Sequence, residues 1–111
     1  MQLPLNSLIA QEKIKDYLLT HRIRNDKSKW LAYSGYTLEN WQLLENDLRS
    51  QMLHRNATLI ENTQYGQMYE IKGELKGPNS KILFVCTIWM KEHSSGLTKF
   101  ITMYPDKRRN L

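Results

Sequence analysis

The stretch from Leu38 to Leu75, LENWQLLENDLRSQMLHRNATLIENTQYGQMYEIKGEL, changes its hydrophobic period halfway along. In its first half Leu38, Trp41, Leu44, Leu48 and Met52 recur every three or four residues. Glu39, Asn40, Glu45 and Asp47 fall on other faces. That is the pattern of a helix burying one stripe, with Thr37 as its cap and an end near Leu53–Arg55. After Asn56 the period drops to two. Ala57–Glu61 is a short β-prone run, and Thr63–Gly66 is a turn cluster. Tyr69, Ile71 and Leu75 then alternate with Met68, Glu70, Lys72 and Glu74, as in a half-buried strand. A helical half followed by a strand half decides the fold class.

Working outward, Gln11–Thr20 reads as a helix with Ile14, Tyr17 and Leu18 on its apolar face. A short second helix starts at Asp26, an N-cap residue type, and stops at Gly35. Gly77-Pro-Asn-Ser80 is a turn. Lys81–Lys91 is apolar on both sides at its centre, which predicts a central strand. Glu92–Leu97 closes a hairpin, Thr98–Tyr104 is the last strand, and Pro105 ends it. The basic tail Asp106–Leu111 is expected to be loose. The expected architecture is α+β: two or three N-terminal helices packed on one face of a four-stranded antiparallel sheet, in one domain over 1–111. The other face of the sheet is partly open.

The 111 residues carry sixteen Lys and Arg against eleven Asp and Glu, a net charge of +5. A small basic domain is drawn to polyanions, and nucleic acid is the commonest in a cell. The basic groups are spread along the chain, so only folding can gather them into a patch. The single cysteine, Cys86, excludes an intrachain disulfide and a cysteine-cluster zinc site. It points to a reducing compartment, most simply the cytoplasm. No apolar run is long enough for a membrane span, and the N-terminus lacks a signal-peptide pattern.

Familiar enzyme motifs are missing. There is no glycine-rich phosphate loop and no G-x-S-x-G elbow. His21, His54 and His93 lack the spacing and the cysteine companions of a metal site, and acidic groups are too few for a two-metal nuclease. No metal and no cofactor is expected. The residue types that remain, His, Lys, Arg, Thr and Tyr, can cleave RNA without a cation. A histidine moves the protons, a cation meets the charge on the phosphorane, and hydroxyls donate to phosphate oxygens.

Two places carry such residues. The first, HRIRNDKSK (21–29), holds one histidine and four basic groups between two helix candidates. It is either a solvated loop or a phosphate site. The second is the terminal hairpin. A turn centred between Ser94 and Ser95 sets Thr87 opposite Thr102, Trp89 opposite Phe100 and Val85 opposite Tyr104, all on one face. Those residues are either core or, in the two threonines, a site. If exposed, Trp89 and Tyr104 could stack on bases.

Tyr17-Leu-Leu, His21, Asp26-Lys27 and Gly35-Tyr-Thr resemble the front half of a bacterial family of unknown function. Its members occur as short free-standing chains and at the C-termini of large secreted polymorphic toxins. The back half resembles it in Tyr65-Gly-Gln-Met-Tyr69, Gly77-Pro-Asn79, Thr87-Ile-Trp89 and Ile101-Thr-Met-Tyr-Pro105. The resemblance implies a fold similar to the barnase–EndoU–colicin–RelE toxin ribonucleases, which are mostly metal-independent. On that basis the expected activity is an endoribonuclease working by 2′-OH attack. The resemblance falls on His21, Lys27, Thr87, Trp89, Thr102 and Tyr104; His21, Lys27, Thr87 and Thr102 are the expected catalytic residues, and Trp89 and Tyr104, with the basic Arg22 and Lys29 beside the histidine and lysine, are expected to bind RNA. An acidic antitoxin or immunity protein, or a self-association that hides the same surface, is its expected partner. The competing expectation is a non-catalytic interaction module, either an antitoxin-type partner or an RNA-binding adaptor.

Overall fold

The computed structural model describes residues 1–24 and 26–107. Three helices lie on one face of a four-stranded antiparallel sheet, and the helices come first in the chain. The first, Lys13–Leu18, is wound with a widened π pitch, closed by Leu19 N–H donating to Ile14 O at 3.0 Å. It buries Ile14 and Leu18 completely, while Tyr17, grouped with them by spacing, is only half-buried. The second helix is Ser28–Tyr33. Asp26 Oδ1 accepts from the Ser28 backbone N–H at 3.0 Å and from Ser28 Oγ at 2.6 Å, which fixes its entry. Gly35 ends it at φ +97, a left-handed conformation that a side chain would strain.

The third helical stretch, 38–52, changes pitch twice. A 3₁₀ turn Leu38–Asn40 leads into an α-helix Trp41–Asp47 and then a π turn Leu48–Met52. A capping box opens it: Thr37 N–H donates to Asn40 Oδ1 at 2.7 Å. Leu44, Leu48, Met52 and the following Leu53 are fully buried, whereas Leu38 is exposed.

The strands run β1 Thr58–Asn62, β2 Gly66–Lys76, β3 Ile82–Glu92 and β4 Thr98–Pro105, paired in that order. Tyr69, Ile71, Leu75, Leu83, Val85, Trp89, Phe100 and Met103 form the sheet side of one core with the helical leucines. β3 is indeed central and buries Leu83 and the five consecutive residues Val85–Trp89, with only Phe84 between them. The β2–β3 turn docks onto the end of the second helix. Asn79 Nδ2 donates to Tyr33 O at 2.9 Å, and a Cβ at Gly77 would lie 1.9 Å from Ser34 O. Only glycine allows that approach.

The hairpin register departs from the symmetric expectation. Trp89 faces Phe100, Met90 faces Lys99 and Lys91 faces Thr98, as expected from the turn. Between Ile88 and Trp89 the register shifts, and Ile101 is the extra residue. Beyond it Ile88 faces Thr102, Thr87 faces Met103, Cys86 faces Tyr104 and Val85 faces Pro105. A one-residue slip exchanges the two faces of a strand. Thr87 and Thr102 therefore lie on opposite faces of the sheet and do not form the expected pair. Met103, not Thr102, takes the core position, because a methionine fills apolar space that a threonine hydroxyl would leave polar.

The C-terminal expectation also needs correction at its start. Asp106 is buried, and its N–H donates to Phe84 O at 2.8 Å. The rest of the tail read as loose, 108–111, lies outside the described residues.

Candidate active site

Lys27 is the hinge of the site. It stands between Asp26 and Ser28, which anchor the start of the second helix, so its backbone is held while its side chain reaches across to β4. Its Nζ donates to Tyr17 Oη at 3.3 Å and to Thr102 Oγ1 at 3.4 Å. Both contacts are long, so the ammonium is held in place without its donors being used up. β4 is the last strand of the sheet, which leaves Thr102 at an edge where a helix residue can meet it.

Tyr17 is surrounded by cations. Lys27 Nζ lies 5.0 Å from its ring centroid, Arg22 Cζ 5.1 Å and Lys13 Nζ 5.9 Å. Hydrogen bonding to Thr102, then to Lys27, holds its phenol below the ordinary 10.0, against the opposing effect of burial. The result is a half-buried hydroxyl set in positive charge.

His21 belongs to the same loop. Its Nδ1 lies 2.9 Å from Asp26 Oδ2, while 70% of its side chain is exposed. The Ser28 hydroxyl, ahead of its backbone N–H and His21, holds the Asp26 carboxyl below the usual range. An ionised Asp26 accepts from Nδ1–H and leaves the imidazole Nε2 available for proton transfer. One dipeptide, Asp26-Lys27, thus orients the histidine and supplies the cation.

Of the residues expected from sequence, Arg22, Lys27 and Thr102 meet around Tyr17, while His21 contacts Asp26, the neighbour of Lys27 in the chain. Lys29 is exposed and lines a separate shallow hollow with Leu19, Ala32 and Leu38. Thr87 and Trp89 are not site residues. Both are fully buried; Trp89 Nε1 donates to Thr87 Oγ1 at 2.8 Å, and Thr87 Oγ1 donates to Ile71 O at 3.0 Å. They face the core together because β3 alternates without interruption, the extra residue lying in β4. Tyr104 is exposed, on the face opposite the helices. Near the hairpin tip, Lys99 is neutralised by Glu92 at 2.6 Å.

Tyr17 was not expected as a functional residue, since its spacing from Ile14 makes it look like core. The signal that could have found it is Lys13, one helical turn earlier on the same face. Asp26 was read only as a cap. Its second role needs the loop to fold His21 back, which no helical spacing announces.

Three other groups set the response to pH. Burial, then Asp106 and Glu70, pushes the Cys86 thiol from the ordinary 9.0 up to about 11. Burial also raises Tyr104 and Tyr36, the latter aided by its hydrogen bond to Asp47 Oδ2 at 2.6 Å. These groups keep protons in the folded state that the unfolded chain sheds. Their stabilisation is complete below the unfolded values and is lost as pH rises through the folded ones. Tyr17 acts in the opposite sense but is one group against three. The melting temperature is expected to fall as pH climbs from about 9 to 11. The fall should be shallower in Cys86→Ala, compared with its own value at pH 7. Thermal unfolding followed by circular dichroism across that range measures it, and a flat profile would contradict the assignment.

Among the described residues no group of three or more His, Cys, Asp and Glu side chains could hold a metal ion, and no helix is long and apolar enough to cross a membrane. The model of a domain family of unknown function, DUF6883, matches residues 5–107, so the chain belongs to that family. No curated protein and no solved structure matches it.

Proposed function

We propose that this member of the family is a toxin-type endoribonuclease that cleaves RNA without a metal ion. The observation that carries the reading is Lys27 Nζ held between Tyr17 Oη and Thr102 Oγ1, next in sequence to the carboxylate that orients His21. A phosphate entering this cradle meets the Lys27 ammonium, the Thr102 hydroxyl and the Arg22 guanidinium.

In the reaction, His21 Nε2 takes the proton of the ribose 2′-OH. The 2′-oxygen attacks phosphorus and the bond to the 5′-oxygen breaks. Tyr17, whose phenol is made more acidic by its neighbours, gives its proton to that oxygen. Lys27 and Arg22 meet the charge that grows on the phosphorane. The products are a 2′,3′-cyclic phosphate and a 5′-hydroxyl. A basic, open site of this kind suits an acidic neutralising partner, whose charge would speed association and cover the cradle.

The test incubates purified protein with total RNA, with and without EDTA. Cleavage that persists in EDTA and leaves cyclic-phosphate ends is expected, with 2′-deoxy substrates left intact. RNA that stays whole over hours in both conditions would favour the non-catalytic binding module instead.

A further inference from the structure

The face of the sheet turned away from the helices carries a depression of about 410 Å³, within the size range of small-molecule sites. Glu70, Lys72, Cys86, Tyr104, Asp106 and Lys107 line it. It adjoins the phosphate cradle through β4. Thr102 and Tyr104 face Ile88 and Cys86, so they share this face and stand about 7 Å apart along the strand.

The chemistry of the two places differs. The cradle offers cations and hydroxyls. The depression offers an aromatic ring, exposed at its edge, and the Glu70 carboxylate beside it. Tyr104 Oη and Glu70 Oε2 are 3.5 Å apart, and Lys72 Nζ is 3.6 Å from Glu70 Oε1. Contacts that long leave the carboxylate most of its accepting capacity. Asp106 adds a second negative charge near the floor, where Cys86 stays a neutral thiol. Lys72 and Lys107 offset these two charges, so the depression has no net positive charge to draw a phosphate. What the carboxylates accept is a neutral group with N–H donors, and an aromatic ring beside them suits a flat one.

We propose that this depression is the subsite for one nucleobase of the RNA, adjacent to the phosphate held at Lys27 and Thr102. Tyr104 stacks on the base and Glu70 accepts from its Watson–Crick edge. The inference rests on the ribonuclease reading and adds a substrate preference to it. Guanine offers two adjacent donors on that edge, while adenine, cytosine and uracil each offer donors at one position. An acceptor-only carboxylate therefore ranks guanine first. Lys72 and Lys107, at the rim, would meet the neighbouring phosphates.

The test titrates the four nucleoside 3′-monophosphates into ¹⁵N-labelled full-length protein and follows amide shifts. Guanosine 3′-monophosphate should move the Glu70, Cys86 and Tyr104 resonances and bind roughly tenfold more tightly than the uridine compound. Glu70→Gln, nearly isosteric at a side chain only 20% exposed, should erase most of that difference with a melting temperature close to the parent's. Lys27→Ala should weaken all four nucleotides alike. Shifts confined to the Lys27–Thr102 edge, or a preference that survives Glu70→Gln, would overturn the subsite. Discrimination without any RNA cleavage would sink the ribonuclease reading and support the subsite. Cleavage indifferent to base would do the reverse.

Discussion

Replacing His21 with alanine is expected to lower RNA cleavage by roughly 10²–10⁴-fold, the range for losing a positioned general acid or base. The melting temperature should stay close to that of the parent protein, because 70% of the side chain is exposed. Asp26→Asn should fall in the same direction by a smaller factor. It keeps an acceptor beside Nδ1 but removes the charge that stabilises the imidazolium formed when His21 takes a proton. Lys27→Ala should reduce cleavage more steeply than RNA binding if its ammonium meets the phosphorane more closely than the ground-state phosphate. Cleavage kinetics on a short fluorescent RNA, with binding measured on its 2′-deoxy analogue, separates the two effects. A His21→Ala protein within a few-fold of the parent rate would remove the histidine from the mechanism.

Trp89→Ala is expected to act on the fold, not on RNA. The indole is fully buried, meets the Phe100 ring edge-on at 5.3 Å and donates to Thr87 Oγ1. Truncating a buried tryptophan costs about 3–5 kcal/mol. Against a typical total of about 5–15 kcal/mol, that is a large share. The expected drop in Tm is more than about 10 °C. Trp89→Phe should recover part of it, since the ring contact with Phe100 returns while the N–H does not. Thermal melts together with RNA binding at low temperature decide the matter. A stable Trp89→Ala protein with weakened RNA binding would give the indole back the stacking role its sequence suggested.

The fold was legible because its signals are local. The switch from three-and-four spacing to alternation after Asn56 marks the border between helices and sheet, and Gly77-Pro-Asn-Ser80 marks the β2–β3 turn. The site was legible only in part. His21, Arg22 and Lys27 stand together in one basic loop, and their residue types single that loop out. Thr102 was singled out for a pairing that does not exist, yet it reaches the site by way of Lys27, 75 residues away in sequence. The pairing failed because alternation fixes faces only while the ladder is continuous. One inserted residue at Ile101 reverses every face beyond it, and nothing in its identity distinguishes it from a regular strand residue. Trp89 and Tyr104 show the same limit from two sides. Either aromatic could be core or surface, and the register alone decides between them.

The extra residue at Ile101 ties the site to the bulge in β4. Drawing that residue into the ladder opposite Ile88 would carry Thr102 inward to the place of Met103 and Tyr104 inward beside Val85. The lysine at the second helix would then reach across to nothing that donates or accepts, and the core would hold a hydroxyl where a thioether belongs. A ladder drawn without the bulge turns residues 102–105 inside out.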